Sequence, residues 1–244
     1  MKKAAHLAIL LAGVACVSRA MAQSSADIDR LLRTAVEQNR VPMAVAMVAD
    51  ARGVVYEHAT GASKDTIFRI ASMTKPVTSV AVMQLVESGK VKLDEPASTY
   101  LPELAAVRVR DAGKQRPPKR PMTVRHLLTH TSGFGYEFMN RKLFDLVSKK
   151  EIPSAMAGGD AFLKAPAVFD PGTRWEYGVS TDWLGKLVER VSGQSLEVYF
   201  REKIFLPLCR SWIPVRRSCS KTSIGPSTRR DVRDHDRQRP LTAP

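Results

Sequence analysis

The sequence predicts a mixed α/β (α+β) fold in which an antiparallel hairpin is followed by many helices. Two β-branched, apolar runs, MAVAMVAD (43–50) and VVYEHAT (54–60), flank the turn Ala51-Arg52-Gly53, a pattern typical of a β-hairpin. Later segments repeat apolar residues at helical spacing between capping residues and glycines. We therefore expect an antiparallel sheet flanked by helices, together with a helical lobe.

The first 22 residues are predicted to be a signal peptide. A positively charged start is followed by an apolar run, Leu7 to Val17, which is too short to span a bilayer, and then by small residues up to Ala22. We expect cleavage after Ala22 and a periplasmic or secreted protein without stable membrane insertion. A lipoprotein modified at Cys16 is less favoured, because Gly13 stands where such sites usually carry leucine.

The net charge of +14 is concentrated towards the two ends of the chain. Three positive charges lie in the signal peptide, and residues 209–244 hold nine Lys or Arg against three Asp. Residues 23–208 therefore keep a net charge of only +5, spread along the chain. This distribution argues against a nucleic-acid-binding body, so no nucleic-acid partner is expected.

The first helices and the loop after them follow from apolar spacing and proline content. A helix over Asp27 to Glu37 precedes the hairpin and has one apolar side. Val77 to Glu87 is apolar on nearly all sides, which predicts a buried helix, and Gly89 is its expected C-cap. Residues 94–121 contain five prolines and are predicted to form a loop.

Three further helices are predicted in the second half of the chain. Thr123 is expected to cap the short helix VRHLLTH. One of the residues from Ser180 to Asp182 caps the next helix, which ends at Gly193. Ser195 then starts a helix that runs to about Phe205.

The stretch FRIASMTKPVT (68–78) places Ser72 and Lys75 three residues apart. Pro76 lacks an N–H and is tolerated only in the first turn of a helix, so the helix starts near Ser72. A serine nucleophile needs a base, and a lysine can serve when burial or positive charge lowers its pKa. S-x-x-K marks penicillin-binding enzymes. From the spacing alone, however, a helix cap followed by a surface lysine is the more frequent arrangement.

Three stretches resemble, in the expected order, the landmarks of the serine β-lactamase-like superfamily of class C β-lactamases, penicillin-binding DD-peptidases and family VIII carboxylesterases. They are FRIASMTKPVTSVAVMQLVESGKVKLDEPASTYLPEL, VRHLLTHTSGF and PGTRWEYGVSTDWLGKLVERVSGQSLEVYF. The resemblance runs from about Asp27 to Leu208 and implies that residues 23–208 are the N-terminal part of a serine β-lactamase-like hydrolase domain, truncated to the N-terminal hairpin of its sheet. It also implies that Ser72 is acylated, that Lys75 accepts its proton and that the Tyr177 phenol relays the proton to the leaving group. It implies no cofactor.

The sequence differs from the β-lactamase pattern after Tyr177. The family pattern Y-x-N holds the amide of the substrate with its Asn, whereas Gly178-Val179 follows the tyrosine here. The PELAAVRV and FGYEF stretches are also more similar to the esterase branch. We therefore expect an exported serine hydrolase for short-chain carboxylic esters, with weak β-lactam hydrolysis. The alternatives are an inactive, truncated relative that binds ligand or cell-wall material, and a β-lactamase or DD-peptidase proper.

Other candidate residues have simpler interpretations. His126 and His130 stand four apart, a spacing that can place two imidazoles on one metal. Leu127 occupies the place of the acid in H-E-x-x-H and no third ligand is evident, so no metal is expected. Trp175 is interpreted as a core aromatic residue and Glu176 as a surface charge.

Residues 209–244 do not continue the family pattern. They are rich in Arg, Ser and Pro without helical or strand periodicity, and we expect a disordered basic tail or the product of a reading-frame change near residue 209. The third family motif, K-T-G or an equivalent, supplies one oxyanion-hole donor. Lys221-Thr222-Ser223 lacks its glycine and is interpreted as a coincidence.

Overall fold

The structure, a computed structural model, describes residues 25–111 and 114–211. The chain forms two compact units that divide after Arg69. The predicted signal peptide and residues 212–244 of the predicted tail lie outside the described residues. Within the described ranges, no helix combines the length and the apolar character that crossing a membrane requires.

The first unit consists of a helix and a two-stranded antiparallel sheet. Helix α1 covers residues 25–37, and the strands are β1 (Ala44–Asp50) and β2 (Gly53–Thr60). The register shifts by one residue after Val48, which marks a β-bulge. The predicted first helix and hairpin are thus confirmed.

A carboxylate connects α1 to the hairpin. The Tyr56 hydroxyl on β2 donates a hydrogen bond of 2.8 Å to Asp29 Oδ1 on α1, and His58 Nδ1 lies 2.9 Å from the same oxygen. The hairpin nevertheless exposes much of its apolar surface, at Met47, Val48, Val54 and Val55. A two-stranded hairpin is marginal in water by itself, so these contacts with α1 stabilise it.

The second unit is mainly helical. Its described helices are α2 (Thr74–Glu87), α3 (Val124–Leu128), α4 (Arg141–Ser148), α5 (Ser180–Ser192), α6 (Leu196–Phe200) and α7 (Leu206–Ser211). A π-helical turn, Arg201–Phe205, joins the last two. A short hairpin of β3 (Val109–Asp111) and β4 (Lys114–Arg116) lies where the sequence predicts only a loop. Strands of three residues are too short for a recognisable period-two pattern.

Most predicted helix ends are confirmed. The Thr123 hydroxyl accepts a hydrogen bond from the His126 amide at the start of α3, and Gly193 ends α5 with a φ of +71°. The prediction that a residue from Ser180 to Asp182 caps α5 is wrong, because the N-cap is Val179 and has no side-chain cap. The Ser180 hydroxyl is instead 2.7 Å from the buried hydroxyl of Ser132.

The core of the second unit lies where α2 meets α5. The Trp183 ring on α5 is stacked on Phe134 at 5.9 Å and meets Phe162 edge-on at 5.5 Å, measured between ring centroids. Helix α2 is buried on one side only, since Val80 and Met83 are exposed. The prediction of burial on all sides is therefore wrong: the buried side of α2 packs against α5 and, to a smaller extent, against α6 and the turn Arg201–Phe205.

An ion pair holds the loop that leads to the candidate site. Nη1 and Nη2 of Arg116 each donate a 2.8 Å hydrogen bond to the Asp170 carboxylate, and the Lys119 amide donates a third of the same length. Asp170 is largely buried. These bonds connect β4 to the turn before Tyr177, so they contribute to the placement of that tyrosine.

We expect D170N to lower the free energy of unfolding at pH 7 by about 2 kcal/mol, because the amide loses charge-assisted hydrogen bonds. The Arg116 guanidinium and the Lys119 amide lower the pKa of Asp170 from 3.8 to about 2. A carboxyl with a lowered folded-state pKa stabilises the fold above its unfolded pKa, and this stabilisation is lost as pH falls through the folded pKa. Urea denaturation should therefore show the wild-type advantage shrinking between about pH 4 and pH 2.

The matched control is D145N, which removes the exposed partner of Arg141 on α4. It should change the free energy of unfolding by no more than about 0.5 kcal/mol at any pH. A wild-type advantage over D170N that stays constant down to pH 2 would contradict the role given to the Asp170 charge.

Candidate active site

Ser72 lies exposed in the tight turn Ala71–Met73, directly before α2. Ala71 has a φ of +44°, a left-handed conformation that is unfavourable for a residue with a Cβ. Backbone strain of this kind is concentrated at functional sites. The Ser72 hydroxyl thus stands beside the positive end of a 14-residue helix, as the proline rule predicts.

Lys75 lies one turn further and reaches back to the serine. Its Nζ donates a hydrogen bond of 3.3 Å to Ser72 Oγ. The same Nζ is 4.9 Å from the centroid of the Tyr177 ring and 5.6 Å from that of Tyr136. The structure therefore brings together the three predicted site residues, Ser72, Lys75 and Tyr177, and adds a second tyrosine.

The two tyrosines come from separate loops that meet at a pair of glycines. A Cβ on Gly178 would lie 2.5 Å from the Cα of Gly135, closer than real Cβ atoms approach. The Glu176 amide also donates a 2.9 Å hydrogen bond to the carbonyl of His130, which joins the same loops. This close approach holds the rings of Tyr136 and Tyr177 5.6 Å apart.

The electrostatics of the site favour a charged lysine. Partial burial would lower the pKa of Lys75, but hydrogen bonds and attraction from Tyr177 and Tyr136 outweigh it and raise that pKa above 10.5. Burial would likewise raise the pKa of Tyr177, yet hydrogen bonds with Ser72 and Lys75 and the lysine charge lower it below 10.0. The predicted lowering of the Lys75 pKa is therefore wrong, and Tyr177 is the group whose proton is made easier to remove.

Tyr136 and Asp182 complete the site, and neither was identified as a site residue from the sequence. Burial raises the pKa of Tyr136, and the negative charge of Asp182 raises it further. Burial also raises the pKa of Asp182, which hydrogen-bonds with Tyr136. From the sequence, the FGYEF run indicates only the esterase branch, and Asp182 is one of three candidate caps of α5. Their shared role depends on contacts between distant segments.

The position after Gly178 does not contribute to the site. Val179 is buried and belongs to the same core cluster as Trp183. The Asn of the Y-x-N pattern is thus replaced by a core residue, and this position offers no side-chain donor to a substrate.

The two histidines have separate roles in the fold. His126 Nδ1 accepts a 3.2 Å hydrogen bond from the Thr123 amide and completes a capping box at α3. His130 has a φ of +56° and its ring lies 4.9 Å from that of Tyr177. Among the described residues, no cluster of three His, Cys, Asp or Glu side chains could hold a metal ion.

Two neighbours of Tyr177 differ from their predicted environments. Trp175 is 63% exposed rather than part of the core. Glu176 is half-buried rather than a free surface charge, because its carboxylate accepts a 2.6 Å hydrogen bond from the Asn140 side chain. The expected third motif and Lys221-Thr222-Ser223 lie outside the described residues.

The sequence model of the Beta-lactamase family matches residues 28–236 of this chain. Acyltransferase mokF of Monascus pilosus is 39% identical over 204 residues, 75% of this chain and 49% of that protein. The lovastatin esterase of Penicillium rubens is 32% identical over 226 residues, 84% of this chain and 54% of that protein. The chain thus spans about half the length of these curated relatives.

A solved structure has a similar fold over most of this chain. Unliganded simvastatin synthase (LovD) from Aspergillus terreus superposes with a TM-score of 0.64 at 37% identity, covering 76% of this chain and 53% of the other. This likeness confirms the predicted serine β-lactamase-like fold. Together with the family match over more than half of its residues, it shows that this chain belongs to the Beta-lactamase family.

Proposed function

We propose that this chain is a serine hydrolase that forms an acyl-enzyme on Ser72 and acts on small-molecule carboxylic esters. The observation that carries the proposal is the contact of one ammonium, that of Lys75, with both the Ser72 hydroxyl and the Tyr177 ring. Two titratable groups whose pKa values are pushed apart by their environments indicate the acid–base assignment. Here Lys75 keeps its proton and Tyr177 loses its own more readily.

In the first half-reaction, the Tyr177 phenolate accepts the proton of Ser72 as Oγ bonds to the ester carbonyl carbon. Tyr177 then returns this proton to the alcohol oxygen as the carbon–oxygen bond breaks and the alcohol leaves. Lys75 remains an ammonium throughout and stabilises the phenolate at the start and the end of each transfer. This assignment replaces Lys75 by Tyr177 as the proton acceptor.

In the second half-reaction, water or an alcohol takes the place of the leaving group. Tyr177 accepts a proton from the water or alcohol as the oxygen of that molecule attacks the acyl carbon. The proton then passes from Tyr177 to Ser72 Oγ when the acyl–serine bond breaks. Water gives hydrolysis, whereas an alcohol gives acyl transfer. Because relatives are named both esterase and acyltransferase, we propose transfer to an alcohol as the second candidate function.

Short-chain esters fit the site better than β-lactams. The position that carries an amide-holding Asn in β-lactamases is the buried Val179 here. A substrate amide that lacks such a hydrogen-bond partner is bound less well. We propose weak β-lactam hydrolysis at most, since the same acyl-enzyme chemistry would serve both substrates. Export to the periplasm or medium belongs to the same proposal.

We expect a fluorophosphonate probe to label the full chain at Ser72, because the probe reacts with an activated serine. S72A should remove labelling, while S79A, on the same helix, should keep it. Mass spectrometry of the labelled peptide identifies the site. A folded wild-type protein that stays unlabelled, or that is labelled equally in S72A, would refute the nucleophile assignment.

The labelling rate should rise with pH as Tyr177 ionises, with a midpoint below 10.0 because Lys75 lowers its pKa. K75M removes the ammonium, so the midpoint should move to higher pH and the rate at pH 7 should fall about 10²–10⁴-fold. Labelling reactions quenched at fixed times across a pH series measure both the midpoint and the rate at pH 7.

K186M is the matched control, since Lys186 lies on α5 and its ammonium forms an ion pair with Asp160. It should leave the midpoint where the wild type has it. An unchanged midpoint in K75M would show that the ammonium does not set the ionisation of Tyr177.

A further inference from the structure

Five aromatic rings form a continuous aromatic strip through the candidate site. Its members, in order, are Trp175, His130, Tyr177, Tyr136 and Phe138. Successive ring centroids are 6.3, 4.9, 5.6 and 4.9 Å apart. The proposed proton carrier, Tyr177, stands at the middle of the strip. The two end residues are the exposed ones, Trp175 at 63% and Phe138 at 61%.

The exposed indole is attached to an ordered segment on both sides. The residue before it, Arg174, places its guanidinium 4.4 Å from the centroid of the Phe169 ring. The residue after it, Glu176, is bonded through its amide to His130 and through its carboxylate to Asn140. The backbone at Trp175 is thus fixed on both sides and its indole contacts the His130 ring, which reduces the entropy cost of binding to it.

The ring between Trp175 and Tyr177 is uncharged at neutral pH. Burial lowers the pKa of His130 below 6.5, and the positive charge of Lys75 lowers it further. A neutral imidazole presents an aromatic face without a charge to desolvate. The Trp175, His130 and Tyr177 rings therefore form an uncharged series of ring contacts that runs from the exposed indole to Tyr177.

The chemistry of Tyr177 determines which part of an ester meets this surface. Tyr177 delivers a proton to the alcohol oxygen, so that oxygen must lie beside the phenol. The Lys75 ammonium lies over the rings of Tyr177 and Tyr136. The His130 ring also contacts Tyr177 and leads to the exposed Trp175, so the carbon skeleton of the alcohol can extend along these two rings.

We propose that the Trp175–His130 end of the aromatic strip is a subsite for the alcohol portion of the substrate and favours broad, apolar or aromatic alcohols over small ones. The inference rests on the proposed function, because it takes its direction from the proton transfer by Tyr177. Stacking of a flat alcohol on the indole should contribute about a tenfold preference.

The test compares two esters with the same acyl group, 2-naphthylmethyl acetate and ethyl acetate. W175L should lower the ratio of their kcat/KM values about tenfold, while W175F should retain most of the ratio. F144L is the matched control, because Phe144 is an exposed aromatic on α4 outside the strip. It should leave the ratio as in the wild type. An unchanged ratio in W175L would overturn the subsite.

A binding measurement separates this subsite from the proposed function. The Kd of 2-naphthylmethanol is measured by equilibrium dialysis with the full wild-type chain, W175L and F144L. Weaker binding to W175L alone, without turnover of either ester by the wild type, would support the subsite and reject the hydrolase. Equal binding to all three proteins, or none at all, would reject the subsite whatever the labelling of Ser72 shows.

Discussion

The candidate site depends on the contacts of the Lys75 ammonium. This ammonium bonds to the Ser72 hydroxyl and faces both tyrosine rings, so its charge acts on every group that could move a proton. The pKa values of the two tyrosines shift in opposite directions: burial and the charge of Asp182 raise that of Tyr136 despite Lys75, whereas hydrogen bonds with Ser72 and Lys75 outweigh burial at Tyr177 and lower its pKa. A neutral lysine would remove part of the lowering at Tyr177. In the proposed mechanism, the site therefore works through a permanent cation and a tyrosine that cycles between phenol and phenolate.

This arrangement needs two distant loops to be held within a few ångströms. The glycine pair Gly135 and Gly178 lets their backbones touch, and the Arg116–Asp170 ion pair anchors the segment that ends at Tyr177. None of these four residues reacts. They hold the two loops in place within the helical unit, so a substitution that weakens these contacts would also misalign Tyr136 and Tyr177.

The parts of the site that are local in sequence could be predicted, and those that depend on tertiary contacts could not. Pro76 fixes the start of α2 and thereby puts Ser72 in the turn directly before the helix, three residues from Lys75 in its first turn. The direction of the Lys75 pKa depends on phenols from two other loops, which the spacing does not reveal. The exposure of Trp175 is equally hidden, because an aromatic residue beside a buried turn usually packs inward. In the fold, β1 and β2 are predictable as β-branched, apolar runs on either side of a turn, whereas β3 and β4 are too short to be recognised.

Whether such a site hydrolyses or transfers depends on which acceptor reaches the acyl-enzyme first. Ser72 is exposed, so water has access to the acyl carbon. An alcohol competes only if binding raises its local concentration beside Tyr177, because the proton transfer is the same for both acceptors. The aromatic surface from Trp175 to Tyr177 would provide that binding for an apolar alcohol and none for water. In the proposed site, a single residue outside the reacting set, Trp175, would therefore shift the balance from hydrolysis towards acyl transfer without a change in the chemistry at Ser72.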